Sequence, residues 1–269
     1  MNQVLHDSYT ILIDAVSKLD GVLAVGKSGG AALPTRGESD IDLYIICTQV
    51  PSTTERRQAV ETLGNVVTSA DYHEHSTRFW GVIDFLDVAD TEICLMYYTA
   101  EYMNDEIESI LNGSRPEKEA GHFYPTGRCA TLLSLYPLFD PSGYIASVQE
   151  QLSVYPQVLA DKLFTYHIQK ADVLESFKSA LVRQDVLYYH ERVEKVIDHF
   201  LQALFALNKR YFPSRKRMAQ HIETFALKPE NCVERLLQII ELGAKSETLS
   251  QSSDVWDALY KELCALKGD

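Results

Sequence analysis

The feature that most constrains this chain is a change of hydrophobic period near residue 150. Before it, short apolar runs are separated by turn residues; beyond it, apolar residues recur at helical spacing over long segments. Residues 22–25 and 41–47 are β-rich runs, the second bounded by Ser39-Asp40 before and Pro51 after. Residues 80–86 and 92–98 are two further strands joined by a polar turn over 87–91. Val4, Leu5, Ile11, Leu12, Val16 and Leu19 share a helical period that Asp20-Gly21 stops, and residues 54–63 fit a second helix. Past the turn signal Asp140-Pro141-Ser142-Gly143 the texture is helical, with segments at 157–182, 185–211, 215–227, 233–242 and 255–266. The clearest carries Val186, Tyr189, Val193, Val196, Ile197, Phe200, Leu201, Leu204 and Leu207 on one stripe, and Pro213 ends it. Tyr188, Tyr189 and Phe205 are read as core.

These patterns predict an α/β (α+β) chain: a small mixed-sheet domain over 1–148 followed by an all-α bundle over 149–269. A length of 269 residues allows each half its own core. No apolar stretch approaches the roughly 20 residues of a bilayer span, so no membrane partner is expected. The first twenty residues mix Asp, Lys and Gln with their apolar residues and lack a signal pattern, so the expected location is cytoplasmic. Lys plus Arg number 25 against 38 Asp plus Glu, a net of -13, which works against a long nucleic-acid interface and suits a cationic small molecule. Five scattered cysteines without a CxxC spacing are read as buried thiols, not a zinc or redox set.

The chemistry concentrates in Gly26-Lys27-Ser28-Gly29-Gly30 and Ser39-Asp40-Ile41-Asp42-Leu43. Alternate residues of a strand share a face, so Asp40 and Asp42 point one way while Ile41 and Leu43 pack behind them. Two carboxylates at a strand entrance seat Mg²⁺, which takes a few carboxylate oxygens and completes its shell with water and substrate phosphates. The glycine turn offers backbone N–H groups to phosphate oxygens, and Ser28 offers a hydroxyl.

A strand, a Gly/Ser turn, about ten residues and then Asp-x-Asp in an apolar strand resembles the DNA polymerase β-type nucleotidyltransferase superfamily, with its aminoglycoside and lincosamide nucleotidyltransferases. The long helix ending Leu204-Phe205-Ala206-Leu207-Asn208, with Arg215-Lys216-Arg217 after it, is similar to the helical domains that cap these enzymes. The resemblance implies Mg²⁺ as cofactor, a nucleoside triphosphate, ATP first, as donor, and transfer of its monophosphate to a hydroxyl of a small-molecule acceptor, with pyrophosphate leaving. It implies catalytic and metal-holding roles for Asp40, Asp42 and a third acid, Glu92, for which Asp84, Asp87 and Asp90 compete. Nucleotide contacts fall to Gly26, Lys27, Ser28, Gly29, Ser39 and Lys216, and a cationic acceptor, antibiotics included, to Glu191 and Glu194. The chain departs from the family in placing Lys27 between Gly26 and Ser28, which leaves open which turn residue meets phosphate.

Other readings stand beside this one. Residues 21–28 also satisfy the P-loop pattern G-x-x-x-x-G-K-S, yet the strand falls inside the x positions and Gly29, Gly30 and Pro34 follow where a helix is required. A non-catalytic nucleotide-binding or toxin-neutralising partner, and an enzyme that attaches AMP to proteins, fit the same fold. His73-Glu74-His75 has no third ligand at a recognisable spacing and is given no role. Arg183 and His190 match an Arg-x6-His spacing of some helical RNA-cleaving domains, a common coincidence. Monomer and homodimer both remain open.

Overall fold

The structure, a computed structural model, describes residues 3–33, 40–77, 79–119, 123–172 and 174–267. The chain forms an α+β protein of two compact units, one of Met1–Glu108 with Arg128–Val154 and one of Ser109–Gly127 with Tyr155–Asp269. The sequence places a single cut at 148/149; the observed units are discontinuous, the segment 109–127 belonging with the helices.

The first unit is built on β1 (Val22–Lys27), β2 (Ile41–Cys47), β3 (Val67–Tyr72), β4 (Val82–Val88), β5 (Thr91–Thr99) and β6 (Tyr136–Phe139). These make one sheet of order β3-β4-β5-β2-β1-β6. Only β2 and β5 pair in parallel, from Ile41 opposite Ile93 to Cys47 opposite Thr99; the other neighbours are antiparallel. Around the sheet lie α1 (Gln3–Ser17), α2 (Thr53–Glu61) and α5 (Tyr144–Ser153), while α3 (Ala100–Leu111) and α4 (Pro125–Leu133) each run across a unit boundary.

One sheet face forms the core. Leu5, Tyr9, Leu12 and Val16 of α1, with Ala59 and Val60 of α2, bury against Ile41, Leu43, Ile45, Ile93, Leu95 and Tyr97. Each fully buried Leu or Ile contributes about 1.5–3 kcal/mol, so the core holds β2 and β5 in a single register. Ser52 starts α2 with a capping box, its side chain accepting from the Glu55 N–H while Glu55 accepts from the Ser52 N–H. The β4–β5 hairpin closes on Ala89 (φ 50°) and Asp90 (φ 61°), two left-handed residues as in a type I′ turn.

Strands β3 and β6 are absent from the sequence reading because both lie at sheet edges. Four of the six β3 residues are exposed, so that strand presents no apolar run, and β6 is only four residues with Pro137 inside it, which argues against a strand by sequence.

The second unit holds α6 (Gln157–Ala171), α7 (Leu174–Arg183), α8 (Val186–Leu207), α9 (Met218–Glu223), α10 (Cys232–Leu242) and α11 (Leu249–Leu266). The single helix expected over 157–182 is two, interrupted where Asp172 turns extended (ψ 95°). Helix α8 begins on an Asp185 cap that accepts from the Tyr188 N–H at 3.1 Å. It ends at Leu207, earlier than 211, because Asn208 Nδ2 donates to the Leu204 and Leu227 carbonyls and Lys209 goes left-handed (φ 51°).

Candidate functional site

The sheet has a second face, and the acids lie on it. Since Ile41, Leu43, Ile93 and Leu95 enter the core, Asp42 and Cys94, which are register partners, point the other way. Asp40 precedes Ile41 as Glu92 precedes Ile93, so the parallel register sets Glu92 beside Asp40 on the same face as Asp42. Asp40 and Glu92 are exposed and Asp42 is half-buried. The buried Cys94 thiol among them is pushed up to about 12, by burial first and then by the charges of Asp42, Glu92 and Asp40. Three of the sequence-predicted carboxylates thus act on one point of the sheet.

The competitors for the third acid separate by face. Asp84 pairs in register with Leu95 and lies on the core side, where its Oδ1 accepts from buried Arg56 Nη1. Burial raises the Asp84 pKa against the pull of that guanidinium. Asp87 pairs with Glu92 and shares its face, so it stays a neighbour of the acidic group. Asp90 sits in the hairpin turn.

The donor type fits a hard divalent cation: carboxylate oxygens two residues apart on one strand, with Glu92 on the next. Among the described residues no three His, Cys, Asp or Glu side chains are gathered closely enough to hold a metal ion. A two-carboxylate seat is nevertheless how Mg²⁺ is often held when substrate phosphates supply the remaining oxygens. His73, from the His-Glu-His run, faces Asp71 at 3.4 Å.

The turn after β1 has a defined shape. The Ser28 N–H donates to the Asp42 carbonyl at 3.0 Å, which extends the β1–β2 ladder and ties the turn to the acid strand. Gly29 (φ 78°) and Gly30 (φ 86°) are left-handed with nothing near a would-be Cβ, leaving their backbone open to an approaching ligand. Lys27 is buried, and its ammonium donates to the carbonyls of Ser28 (3.2 Å) and Gly30 (2.7 Å). Burial lowers its pKa and the Asp42 charge pulls it back up. Lys27 therefore braces the turn, where the sequence reading gave it a nucleotide contact. Gly26 is needed for packing, because a Cβ there would overlap Leu135 Cδ2. The P-loop reading fails: β1 occupies Val22–Lys27, and a turn, not a helix, follows Ser28. Ser39 lies outside the described residues.

Further along the same face, a group the sequence did not signal lies buried. Arg128 donates from Nε to Glu106 (2.9 Å) and from Nη1 to the hydroxyls of Tyr44 (3.2 Å) and Tyr98 (3.0 Å), while Nη2 donates to the Phe79 carbonyl. Tyr44 is two residues beyond Asp42 and Tyr98 four beyond Cys94, so this network ties the middle of β2 to the end of β5. Its five members come from five places in the chain, α4, α3, β2, β5 and the segment before β4, and no local pattern announces them.

In the helical unit, Glu191 is exposed and bound to Lys195 at 2.6 Å, which lowers its pKa. Glu194 and Lys216, expected at separate tasks, line one open cavity of about 620 Å³ together with Lys118, Tyr124, Ser214 and Arg215. Tyr124 donates to buried Asp198 at 2.5 Å, and Gln202 Nε2 donates to the other Asp198 oxygen at 3.0 Å.

Residues 161–263 match the model of a family described as YpoC-like protein, a match confined to the helical unit and to less than half of the chain. Among solved structures, the chain is similar to a nucleotidyltransferase-like protein from Exiguobacterium sibiricum 255-15, with a TM-score of 0.48 and 8% identity over 99% of this chain and 76% of that one. No curated protein matches the sequence. Among the described residues no helix is long and apolar enough to cross a membrane.

Proposed function

We propose that the sheet unit catalyses nucleotidyl transfer: an acceptor hydroxyl attacks the α-phosphorus of a nucleoside triphosphate, ATP first among the candidates, the bond to the β-phosphate oxygen breaks, and pyrophosphate leaves. The single observation that supports this is the acid face, Asp40 just before β2 and Asp42 on it with Glu92 beside them on parallel β5, next to an open Gly29-Gly30 turn. Glu92 is exposed and adjacent to the pair, which suits it to take the acceptor proton. The turn backbone suits the triphosphate, and the strand register holds the acids without reorganisation. Mg²⁺, held by Asp40 and Asp42, would supply neutralisation of phosphate charge. The acceptor class is a small molecule with a hydroxyl, antibiotics of the aminoglycoside and lincosamide kinds among the compounds to screen.

The test is a mass-spectrometric screen in which each nucleoside triphosphate is supplied with Mg²⁺ and a panel of hydroxyl acceptors, with pyrophosphate followed in parallel. A nucleotide adduct with stoichiometric pyrophosphate supports the reading. One observation favours a second reading, a nucleotide-binding partner without catalysis: the described acids do not close into a three-donor set. Tight nucleotide binding with neither adduct nor pyrophosphate would favour that reading. Labelled protein bands in place of small-molecule adducts would instead point to AMP transfer onto proteins.

A further inference from the structure

We infer that the cavity of the helical unit lined by Lys118, Tyr124, Glu194, Ser214, Arg215 and Lys216 is a binding site for a small phosphate-bearing anion. Three cations face one carboxylate there, in a chain whose formal net charge is -13. None of the three cations forms an ion pair with a described residue. Lys118 instead lies over the Tyr124 ring at 5.5 Å from its centroid. A guanidinium and two ammonium groups around one opening combine a planar hydrogen-bonding fork with mobile point charges, a set suited to phosphate oxygens. The volume is in the range of small-molecule sites.

The walls are held in place by the fold. Thr126 Oγ1 donates to the Phe212 carbonyl at 3.1 Å, and the Phe212 ring packs edge-on against Tyr124 at 4.8 Å and Phe205 at 5.0 Å. Ser214 Oγ accepts from the Lys216 N–H at 3.2 Å, and Arg217 is left-handed (φ 58°), so Arg215 and Lys216 are presented from a defined bend. The acid beneath the floor is spoken for: both Asp198 oxygens accept side-chain hydrogen bonds. The lining itself carries three cations and the single carboxylate of Glu194, a positive balance in which a cationic acceptor would meet three like charges. Glu194 is therefore placed to orient a ligand hydroxyl or to limit how much negative charge is accepted, not to attract a cation.

The site stands on the helical unit alone and holds whether or not the sheet unit transfers nucleotides. It is tested by calorimetric titration of the full chain, with divalent ions chelated and no nucleotide present, using inorganic pyrophosphate in one arm and a hexose 6-phosphate in the other. Saturable binding of either is expected, weakened about tenfold or more in the Arg215→Ala/Lys216→Ala double variant and in Lys118→Ala. A charge-matched control, Lys18→Ala/Lys261→Ala, is expected to bind as the unaltered chain does. Pyrophosphate alone binding identifies a polyphosphate site, and equal binding of the hexose phosphate identifies a phosphorylated metabolite site. Binding of neither ligand, or equal weakening by the control, overturns the assignment. The exposed positions of Arg215 and Lys216 keep the fold out of question, and circular dichroism of each variant checks it.

Discussion

The two candidate sites are opposite in charge and in how they are built. In the sheet unit, Asp40, Asp42 and Glu92 owe their meeting to ladder register, and the same core that fixes Ile41 opposite Ile93 fixes the acids on the other face. In the helical unit, Lys118, Glu194, Arg215 and Lys216 come from segments far apart in sequence and stand on irregular backbone and one helix, clamped by aromatic packing and the Thr126–Phe212 bond. A strand delivers two functional groups from three consecutive residues. A helical unit must gather them from a hundred, which makes its site depend on tertiary packing throughout.

The difference is broken most strongly at the buried ion pair behind the acids. Glu106→Ala leaves the Arg128 guanidinium buried with its carboxylate partner removed, an expected loss of about 3–5 kcal/mol in urea unfolding. Glu191→Ala in the helical unit removes an exposed partner of Lys195, and no measurable shift in the urea midpoint is expected. Equal losses in the two variants would erase the contrast between them.

A smaller effect is expected at the turn. Gly26→Ala forces a methyl into Leu135, about 1–3 kcal/mol by overpacking. Gly29→Ala meets open space and carries only the left-handed backbone cost, about 1–2 kcal/mol. Thermal unfolding orders the two, and nucleotide affinity is expected to respond to Gly29→Ala alone.

The helical unit has its own acid sensitivity. His167 of α6 and His199 of α8 meet Nδ1 to Nδ1 at 2.9 Å, so one ring donates and the other accepts, and the contact has room for one proton only. Burial, then the charge of His199, pushes His167 down to about 3, against the Pro116 carbonyl, which favours the protonated ring as an acceptor. His199 is also lowered, by burial first, with Asp198 and Glu117 raising it and Lys170 and Lys118 lowering it. The folded pKa of His167 lies below its unfolded value of 6.5, so the unfolded chain binds more protons between the two. Stability is accordingly complete above pH 6.5 and declines as pH falls toward 3. Helical circular dichroism against urea across that window is expected to show the slope, and His167→Phe to flatten it; an unchanged slope in that variant would assign it elsewhere.

Legibility followed the same division. Alternation alone set Asp40 and Asp42 on one side of β2, and the turn residues marked where β1 ends, because both are local consequences of backbone geometry. Glu92 was placed through family resemblance and then found in register, whereas Asp84, one of its competitors by sequence, turned out to belong to Arg56 on the core face. Lys27 looked like a phosphate ligand because it stands in a Gly/Ser turn that also matches a P-loop pattern; only the fold shows its ammonium spent on the Ser28 and Gly30 carbonyls. Arg128 and Lys118 were invisible as site residues, since Arg128 meets its partners, and Lys118 the other charges of its cavity, only across long separations. The edge strands escaped for simpler reasons, β3 because its exposure removes the hydrophobic period on which strand reading depends and β6 because it is short and holds Pro137.

The acid face is tested most directly by replacing one oxygen. Purified wild-type chain and Asp42→Asn are each given α-labelled nucleoside triphosphate, Mg²⁺ and an acceptor from the screen, and initial rates of label transfer are compared. A loss of about a thousandfold, with far-ultraviolet circular dichroism and the urea midpoint unchanged, is expected if this carboxylate serves the transfer. Transfer at the wild-type rate in Asp42→Asn would contradict it.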